Sequence, residues 1–549
     1  MSANPPAPAD PATGAEAEAE AAGGAGGGMA LARAGLIVSV AYLIARVLGY
    51  VRVVVIVSTT GDGPELEAFF TAFRIPDLIF QLVAAGTVAA ALVPMVAGEL
   101  GTGRAGRAWR IVSTVATLMS VALVVLAGGA FLVAPWLVAL IAPGFEGALL
   151  DRTIELTRLM LLAPMFLALG AVATSALNAD RRFAAAAIAP IVYDLAIIGA
   201  AFLLAPSMGV TGLAVGVVAG SLLHLLVQLP ALSRAGFRLT PSLDARDPDV
   251  SQALKLMAPR ALALGAGQVT FIVATSLATG LDLGSVTAFT LAFTVFSIPL
   301  SVIGVPLGIV ALPTLSRDLA RGAIDEFVEL VTRALRMIAY VIGPIVAIGI
   351  VLREPATTIL FNHGRFSEDG VRLVAATLAL LLLALPGEAL ITILVRAFYA
   401  NRDTRTPALA AILAVVINVV VGVLAVNALG WGLAGIALGI ALGSTVEAIL
   451  LAVVLRREIP AFDPWPLIRV GVPVALASIA AGVVAFGTLA VLGGATTGMG
   501  LHLRALVELV VAGGLGGLAY LGVTWALRLP ELGLIMRLMS DTLSRVRTA

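Results

Sequence analysis

The chain runs to 549 residues, 60% of them hydrophobic and 12% charged, and its mean hydropathy of +1.06 excludes a water-soluble globular protein. Basic and acidic groups almost cancel, 34 against 33, so bulk charge gives no reason to expect a nucleic-acid partner. With no cysteine there is no disulfide, thiol nucleophile or cysteine-bound metal, and His224, His363 and His502 are too widely spaced for a zinc site.

Residues 1–28 are rich in Pro, Ala, Glu and Gly and contain no apolar core of signal-peptide length, so a disordered tail is expected, with Met29 as an alternative start. Beyond it the chain divides into apolar segments of about 20 residues or more, the length that crosses a bilayer. They lie at 35–59, 66–96, 108–141, 152–177, 183–204, 209–232, 250–278, 285–315, 327–352, 371–400, 407–426, 431–455, 467–492 and 503–527, fourteen in all. Pro76, Pro94, Pro135, Pro299, Pro306 and Pro313 fall inside the longer ones and predict kinks, because proline removes a helix hydrogen bond.

Loop charge supports this count. Arginines follow every even-numbered span: Arg104, Arg107 and Arg110 after the second, Arg181 and Arg182 after the fourth, Arg234, Arg238 and Arg246 after the sixth. Arg317 and Arg321, Arg402 and Arg405, Arg456 and Arg457, and Arg528 through Arg547 continue the pattern. Odd-numbered loops are neutral or acidic, apart from Arg152, Arg353, Arg365 and Arg504. The positive-inside rule then places both termini in the cytoplasm.

The chain also repeats itself. Gly212 to Ser221 in span six returns as Gly435 to Ser444 in span twelve, 223 residues later, and the same shift superposes Asn178, Asp180 and Arg182 on Asn401, Asp403 and Arg405. Six spans separate the copies, so both enter from one side, as parallel repeats with a site between the halves do. The expected fold is an all-α integral membrane protein of fourteen transmembrane helices, in two pseudo-symmetric six-helix lobes plus a C-terminal pair. Its divisions are the tail over 1–28, a first lobe over 29–238, a second over 239–460, and the accessory pair with a cytoplasmic tail over 461–549.

Charges inside the spans are the functional signal, since an ionisable side chain at the bilayer centre costs about 2.5–3.5 kcal/mol on insertion scales. Arg46 lies near the middle of span one, where snorkelling is hard and a cavity role is favoured over a structural ion pair. Arg52 is six residues on, roughly 240° around the helix, and shares that cavity only if the helix distorts, Gly49 being the natural place. Arg74 and Asp77 have the i, i+3 spacing of a self-satisfied pair with a gating or structural role. Arg260, beside Pro259, reads equally as a cavity or an interfacial residue. Asp194, Glu388 and Glu447 are candidate cation or proton sites, with a hydrogen-bonded helix contact the favoured reading. Arg402, Asp403 and Arg405 read as a loop cap, and His363 has no expected role.

Five segments, Ala45 to Arg52, Glu67 to Asp77 with Val93-Pro94, Leu360 to Phe366, Arg396 to Tyr399 and Asp403 to Pro407, together resemble the MurJ/MviN family of lipid II flippases, within the superfamily of multidrug and polysaccharide exporters. The resemblance runs from about residue 35 to the last span. It implies two lobes around a cationic cavity, a groove for a polyprenyl tail beside the last two helices, Arg46 and Arg52 as cavity arginines, and Glu67 as a second-helix acid. The chain departs from the family pattern at Val53, Phe80, Ala85 and Thr294, where charged residues are implied. Either Arg260 and Arg396 compensate as substrate-binding residues, or the coupling and cargo differ.

The expected function is therefore that of a flippase in the bacterial inner membrane. It would move an undecaprenyl-diphosphate-linked peptidoglycan precursor by alternating access, as a monomer in contact with membrane lipid, with cell-wall synthesis enzymes as candidate partners. No GxxxxGK[ST] motif occurs, so drive from membrane potential or a cation gradient is expected in place of a cofactor. Two alternatives stand beside it: an exporter of another lipid-linked glycan or small molecule in the superfamily, and a transport-inactive cell-wall scaffold. No nucleophile–base set points to an enzyme.

Overall fold

In the computed structural model the described residues are 40–83, 87–534 and 537, and every regular element among them is helical. That is the expected solution in lipid, where a helix satisfies its own backbone polar groups. The tail over 1–28 and Met29 lie outside the described residues. Span one is α1 (Val40–Thr60). It is followed by α2 (Pro64–Ala72), α3 (Arg74–Val83), α4 (Thr87–Gly101), α5 (Ala105–Leu132), α6 (Ala134–Ile141), α7 (Gly147–Met160), α8 (Ala163–Ala179), α9 (Phe183–Leu203), α10 (Ala205–Met208), α11 (Val210–Leu226) and α12 (Leu229–Arg234). The second half contains α13 (Pro248–Thr279), α14 (Ser285–Pro299), α15 (Val305–Ala320), α16 (Ile324–Val351), α17 (Arg353–Phe361), α18 (Glu368–Leu381), α19 (Leu385–Ala400), α20 (Arg405–Asn427) and α21 (Gly432–Glu458). The accessory pair is α22 (Trp465–Ala495) and α23 (Leu501–Ala526). Twelve helical stretches among the described residues are long and apolar enough to cross a membrane, and shorter apolar helices at Ala91–Gly101 and Gly267–Thr279 fall in expected spans two and seven.

Proline accounts for the breaks. Span two interrupts at Phe73 just before Pro76, span three at Val133 before Pro135, and span eight passes through a π-helical turn, Leu300–Gly304, between Pro299 and Pro306. Pro94 and Pro313 lie inside α4 and α15. Three further breaks were not expected: span six is interrupted between α11 and α12, with Pro230 in the first turn of α12, and the other two form a pair. Span four is interrupted between α7 and α8, with Pro164 in the first turn of α8, and span ten by a 3₁₀ turn, Leu382–Ala384, with Pro386 in the first turn of α19. They fall at corresponding places in the two halves.

The glycine stripes pair helices within each half. A Cβ on Gly216 of α11 would lie 2.4 Å from Ala200 of α9, and one on Gly439 of α21 would lie 2.6 Å from the Asn418 carbonyl of α20. Only glycine permits such approach. The 223-residue shift holds for these stripes but not for the loops after spans four and ten. There α8 and α19 end in matching Schellman caps, with Arg181 (φ 58°) and Arg402 (φ 59°) in the left-handed conformation. The amides of Arg182 and Asp403 bond back to Leu177 and Phe398. Equivalent residues here are 221 apart, so the expected superposition of Asp180 on Asp403 is corrected to Arg182 on Asp403.

Accessory α23 is tied to α16 by the Tyr340 and Thr524 hydroxyls at 3.0 Å and by the Tyr520 hydroxyl, which donates to the Tyr340 carbonyl at 2.6 Å.

Candidate substrate site and closure between the halves

The two arginines of α1 have different fates. Arg52 reaches α9, where its Nη1 donates to Asp194 Oδ1 at 2.7 Å and its guanidinium lies 5.5 Å from the Tyr193 ring. Asp194 is buried while Arg52 is partly exposed, so this is a half-buried charge pair. Gly49 is the close-approach point, since a Cβ there would meet Asp194 at 3.8 Å. Arg46 has no carboxylate partner among the described residues. Its Nη1 donates to the Tyr42 hydroxyl at 2.8 Å on its own helix, and its Nε is buried without a partner. It borders a cleft of about 290 Å³ between α1, α8 and α9, together with Thr174, Asn178, Phe183 and Pro190.

Glu67 and Arg74 join the two halves. Glu67 Oε1 accepts from the amide of Val286 at 2.9 Å, at the start of α14, where unpaired N–H groups and the helix dipole favour an anion. Arg74 donates from Nε to Thr275 and from Nη2 to Thr290, both at 2.9 Å, and lies 5.2 Å from the Phe271 ring. The expected Arg74–Asp77 ion pair is thus corrected: no bridge forms, because threonine hydroxyls of α13 and α14 take the guanidinium while Asp77 bonds to Gln81. On the same face the α1–α2 turn meets the loop between α17 and α18. The Arg365 amide donates to the Ser58 carbonyl at 2.9 Å, Ser367 bonds to Asp62, and a Cβ on Gly364 (φ 61°) would lie 2.2 Å from that carbonyl. His363, given no role from sequence, stacks on His502 of α23 at 4.7 Å between ring centroids.

Arg396 is placed elsewhere. It lies across Gly308 of α15, whose added Cβ would come within 2.4 Å of Nε, and donates to the Thr392 carbonyl at 2.9 Å. Arg260 is on α13, but its side chain lies outside the described residues, as does Ala85. Glu388 and Glu447 make no hydrogen bond or ion pair with the described residues and lie within electrostatic reach of each other, so the hydrogen-bonded contact favoured for them is absent. Gly387 and Ser444 explain their nearness, since a Cβ on Gly387 would be 2.9 Å from the Ser444 Oγ. Among the described residues no three His, Asp or Glu side chains could together hold a metal ion.

On the arginine-rich face Arg107 of α5 bonds to Asp247 at 2.5 Å and Asp249 at 2.7 Å, at the start of α13. Asp247 also caps α13 by accepting from the amides of Asp249 and Val250. Burial opposes ionisation of Asp247, but the Arg107 and amide hydrogen bonds outweigh it and hold the carboxyl below its usual 3.8.

An apolar groove of about 390 Å³ runs between α16, α19 and α22, lined by Ile342, Val346, Leu390, Val474 and Ile479.

The model of the family described as lipid II flippase MurJ matches residues 56–505. The chain belongs to the MurJ family. A lipid II flippase MurJ of Burkholderia cenocepacia is 32% identical over 445 residues, covering 78% of this chain and 84% of the relative. A probable lipid II flippase MurJ of Rhizobium meliloti is 30% identical over 466 residues, covering 82% and 86%. The fold is similar to that of a MurJ solved in an inward closed conformation, with a TM-score of 0.74 at 20% identity, over 89% of this chain and 98% of that one. A multidrug resistance MATE transporter in an inward-facing conformation shares it more distantly, with a TM-score of 0.64 at 18% identity over 77% and 98%. At the positions where this chain departs from the MurJ pattern, Phe80 packs against the apolar core and Thr294 bonds only to the Thr290 carbonyl of its own helix.

Proposed function

We propose that this chain is a lipid II flippase of the inner membrane, moving the undecaprenyl-diphosphate-linked peptidoglycan precursor from inner to outer leaflet. One observation carries the assignment of the site: Arg46 is a guanidinium within a membrane span, bordering a cleft and lacking a carboxylate partner among the described residues. A guanidinium so placed is suited to a diphosphate, which it can bind through paired donors. Arg52 is held by Asp194 and sets the position of α1. Arg260 and Arg396 remain candidate second contacts for the cargo. The apolar groove beside α22 is suited to part of the polyprenyl chain.

The arginine-rich face is the cytoplasmic one in this reading, with both termini there. The contacts of Glu67, Arg74 and the α1–α2 turn then close the outer side, and their rupture opens it during alternating access. Membrane potential or a cation gradient drives the cycle, and the protein acts as a monomeric transporter without catalytic chemistry of its own, near the enzymes of wall synthesis.

The test is complementation of a conditional strain lacking its own lipid II flippase, comparing wild type with Arg46→Ala at equal membrane abundance. Rescue by wild type and failure of the variant supports flipping through this arginine. Failure of both at normal abundance sinks the assignment.

A further inference from the structure

Arginine is selected against on the translocated face of a membrane protein, so the exceptions ask for a local cause. Arg152 has one, being bound by Glu65, Glu155 and Thr211. Arg365 takes part through its backbone in the contact with Ser58. The other two, Arg353 and Arg504, border one cleft of about 580 Å³ between α17, α18 and the accessory pair, and Arg372 joins them.

The partners of these arginines are all near neighbours in sequence: Glu508 for Arg504 at 2.7 Å, Asp369 and Glu368 for Arg372 at 3.2 and 3.7 Å, and the Ile350 carbonyl at 2.7 Å with Glu354 at 4.0 Å for Arg353. No ion pair between described residues crosses the cleft. The Arg353 and Arg372 pairs are exposed and of the kind that readily exchange partners, whereas Arg504 holds a largely buried Glu508 through Nε and leaves Nη1 and Nη2 without a partner among the described residues. Glu354, Glu368 and Glu508 also line the cleft, so its rim carries both signs in balance, over a floor that includes Phe486 and Leu489.

We infer that this cleft binds the headgroup of an aminophospholipid. The phosphate meets Arg353 and Arg504, the ammonium meets Glu354, and an acyl chain lies on Phe486 and Leu489. A rim of balanced charge suits a zwitterion, whereas an isoprenoid diphosphate calls for the unbalanced guanidinium found at Arg46. In the orientation proposed above the bound lipid belongs to the outer leaflet. The site stands apart from the transport cavity, so its test needs no transport.

Native mass spectrometry of the full-length protein in detergent reads it directly, with phosphatidylethanolamine, phosphatidylglycerol and undecaprenyl diphosphate as probes. Wild type is expected to retain phosphatidylethanolamine over phosphatidylglycerol. Arg353→Gln with Arg504→Gln weakens that retention about tenfold, from the loss of charged hydrogen bonds, while Arg456→Gln on the opposite face leaves it unchanged. Glu354 is well exposed, so Glu354→Gln keeps the fold and erases the preference between the two phospholipids. Unchanged retention in the double arginine variant overturns the inference, as does equal retention of both phospholipids by wild type. Displacement of phosphatidylethanolamine by undecaprenyl diphosphate also overturns it, and assigns the cleft to the transport route.

Discussion

Arg46 and Arg52 are six residues apart on one helix, and their surroundings give them opposite work. Asp194 neutralises Arg52, so removing the arginine alone leaves a buried carboxylate without its partner. Arg52→Ala is expected to destabilise the protein by about 3–5 kcal/mol, seen as a lower unfolding temperature in detergent. Adding Asp194→Ala recovers much of the loss, and a double variant no more stable than the single one would refute the pairing. Both arginines were legible as sequence features because charge is conspicuous in an apolar run. Their partners were not. Asp194 is 142 residues from Arg52, and the hydroxyls of Thr275 and Thr290 that bind Arg74 look in sequence like any threonine in a membrane helix. The i, i+3 spacing of Arg74 and Asp77 favoured a local pair, but tertiary contacts offered the guanidinium two hydroxyl acceptors across the halves.

At the scale of helices, hydropathy located the spans well, because the bilayer imposes one length on them all. Breaks were less legible. Pro135 and Pro299 stood out inside long segments, whereas Pro164 and Pro230 interrupt segments nearer the minimum span length. The repeat was visible through its glycines, since close helix packing admits little else. Its register in the loops was misjudged by two residues because Asn, Asp and Arg recur there as cap residues whatever the alignment. Gly443 gives a direct check on helix contact. A Cβ there would lie 2.8 Å from the Ala414 carbonyl, so Gly443→Leu is expected to force α20 and α21 apart. The cost is about 1–3 kcal/mol of overpacking strain, measured as a fall in unfolding temperature. Gly471→Leu, at a position with open space around it, serves as the matched control and should change little.

Over the whole molecule, the two halves pack α13 and α14 against α2, α3 and α4, and a few polar contacts join them. Because the chain has no cysteine, Asp62→Cys with Ser367→Cys creates a single disulfide between side chains that already touch. Oxidation is expected to abolish rescue of a flippase-deficient strain and reduction to restore it. Transport that continues in the fully cross-linked protein would show that this contact need not open. The link between Arg107 and Asp247 is sensitive to acid instead. The Asp247 carboxyl is held below 3.8 in the folded protein, so its contribution is complete above that value and is lost as pH falls through the lower folded pKa. Asp247→Asn should therefore flatten the loss of stability with acid in that range, as followed by thermal unfolding from pH 5 downward.

The contact at Ser58 and Gly364 has a consequence for speed. It is made by peptide groups, one amide of Arg365 against one carbonyl of Ser58, with no side chain to repack and no charge to carry into or out of water. When the halves separate, solvent takes over both groups at once, and the net loss is about 0.5–1.5 kcal/mol. Replacing Gly364 blocks the approach altogether, so the position admits only a residue too small to add grip. At this one point the seal is thus specific in shape and shallow in depth, as suits the edge of a door that must swing once for every molecule it passes.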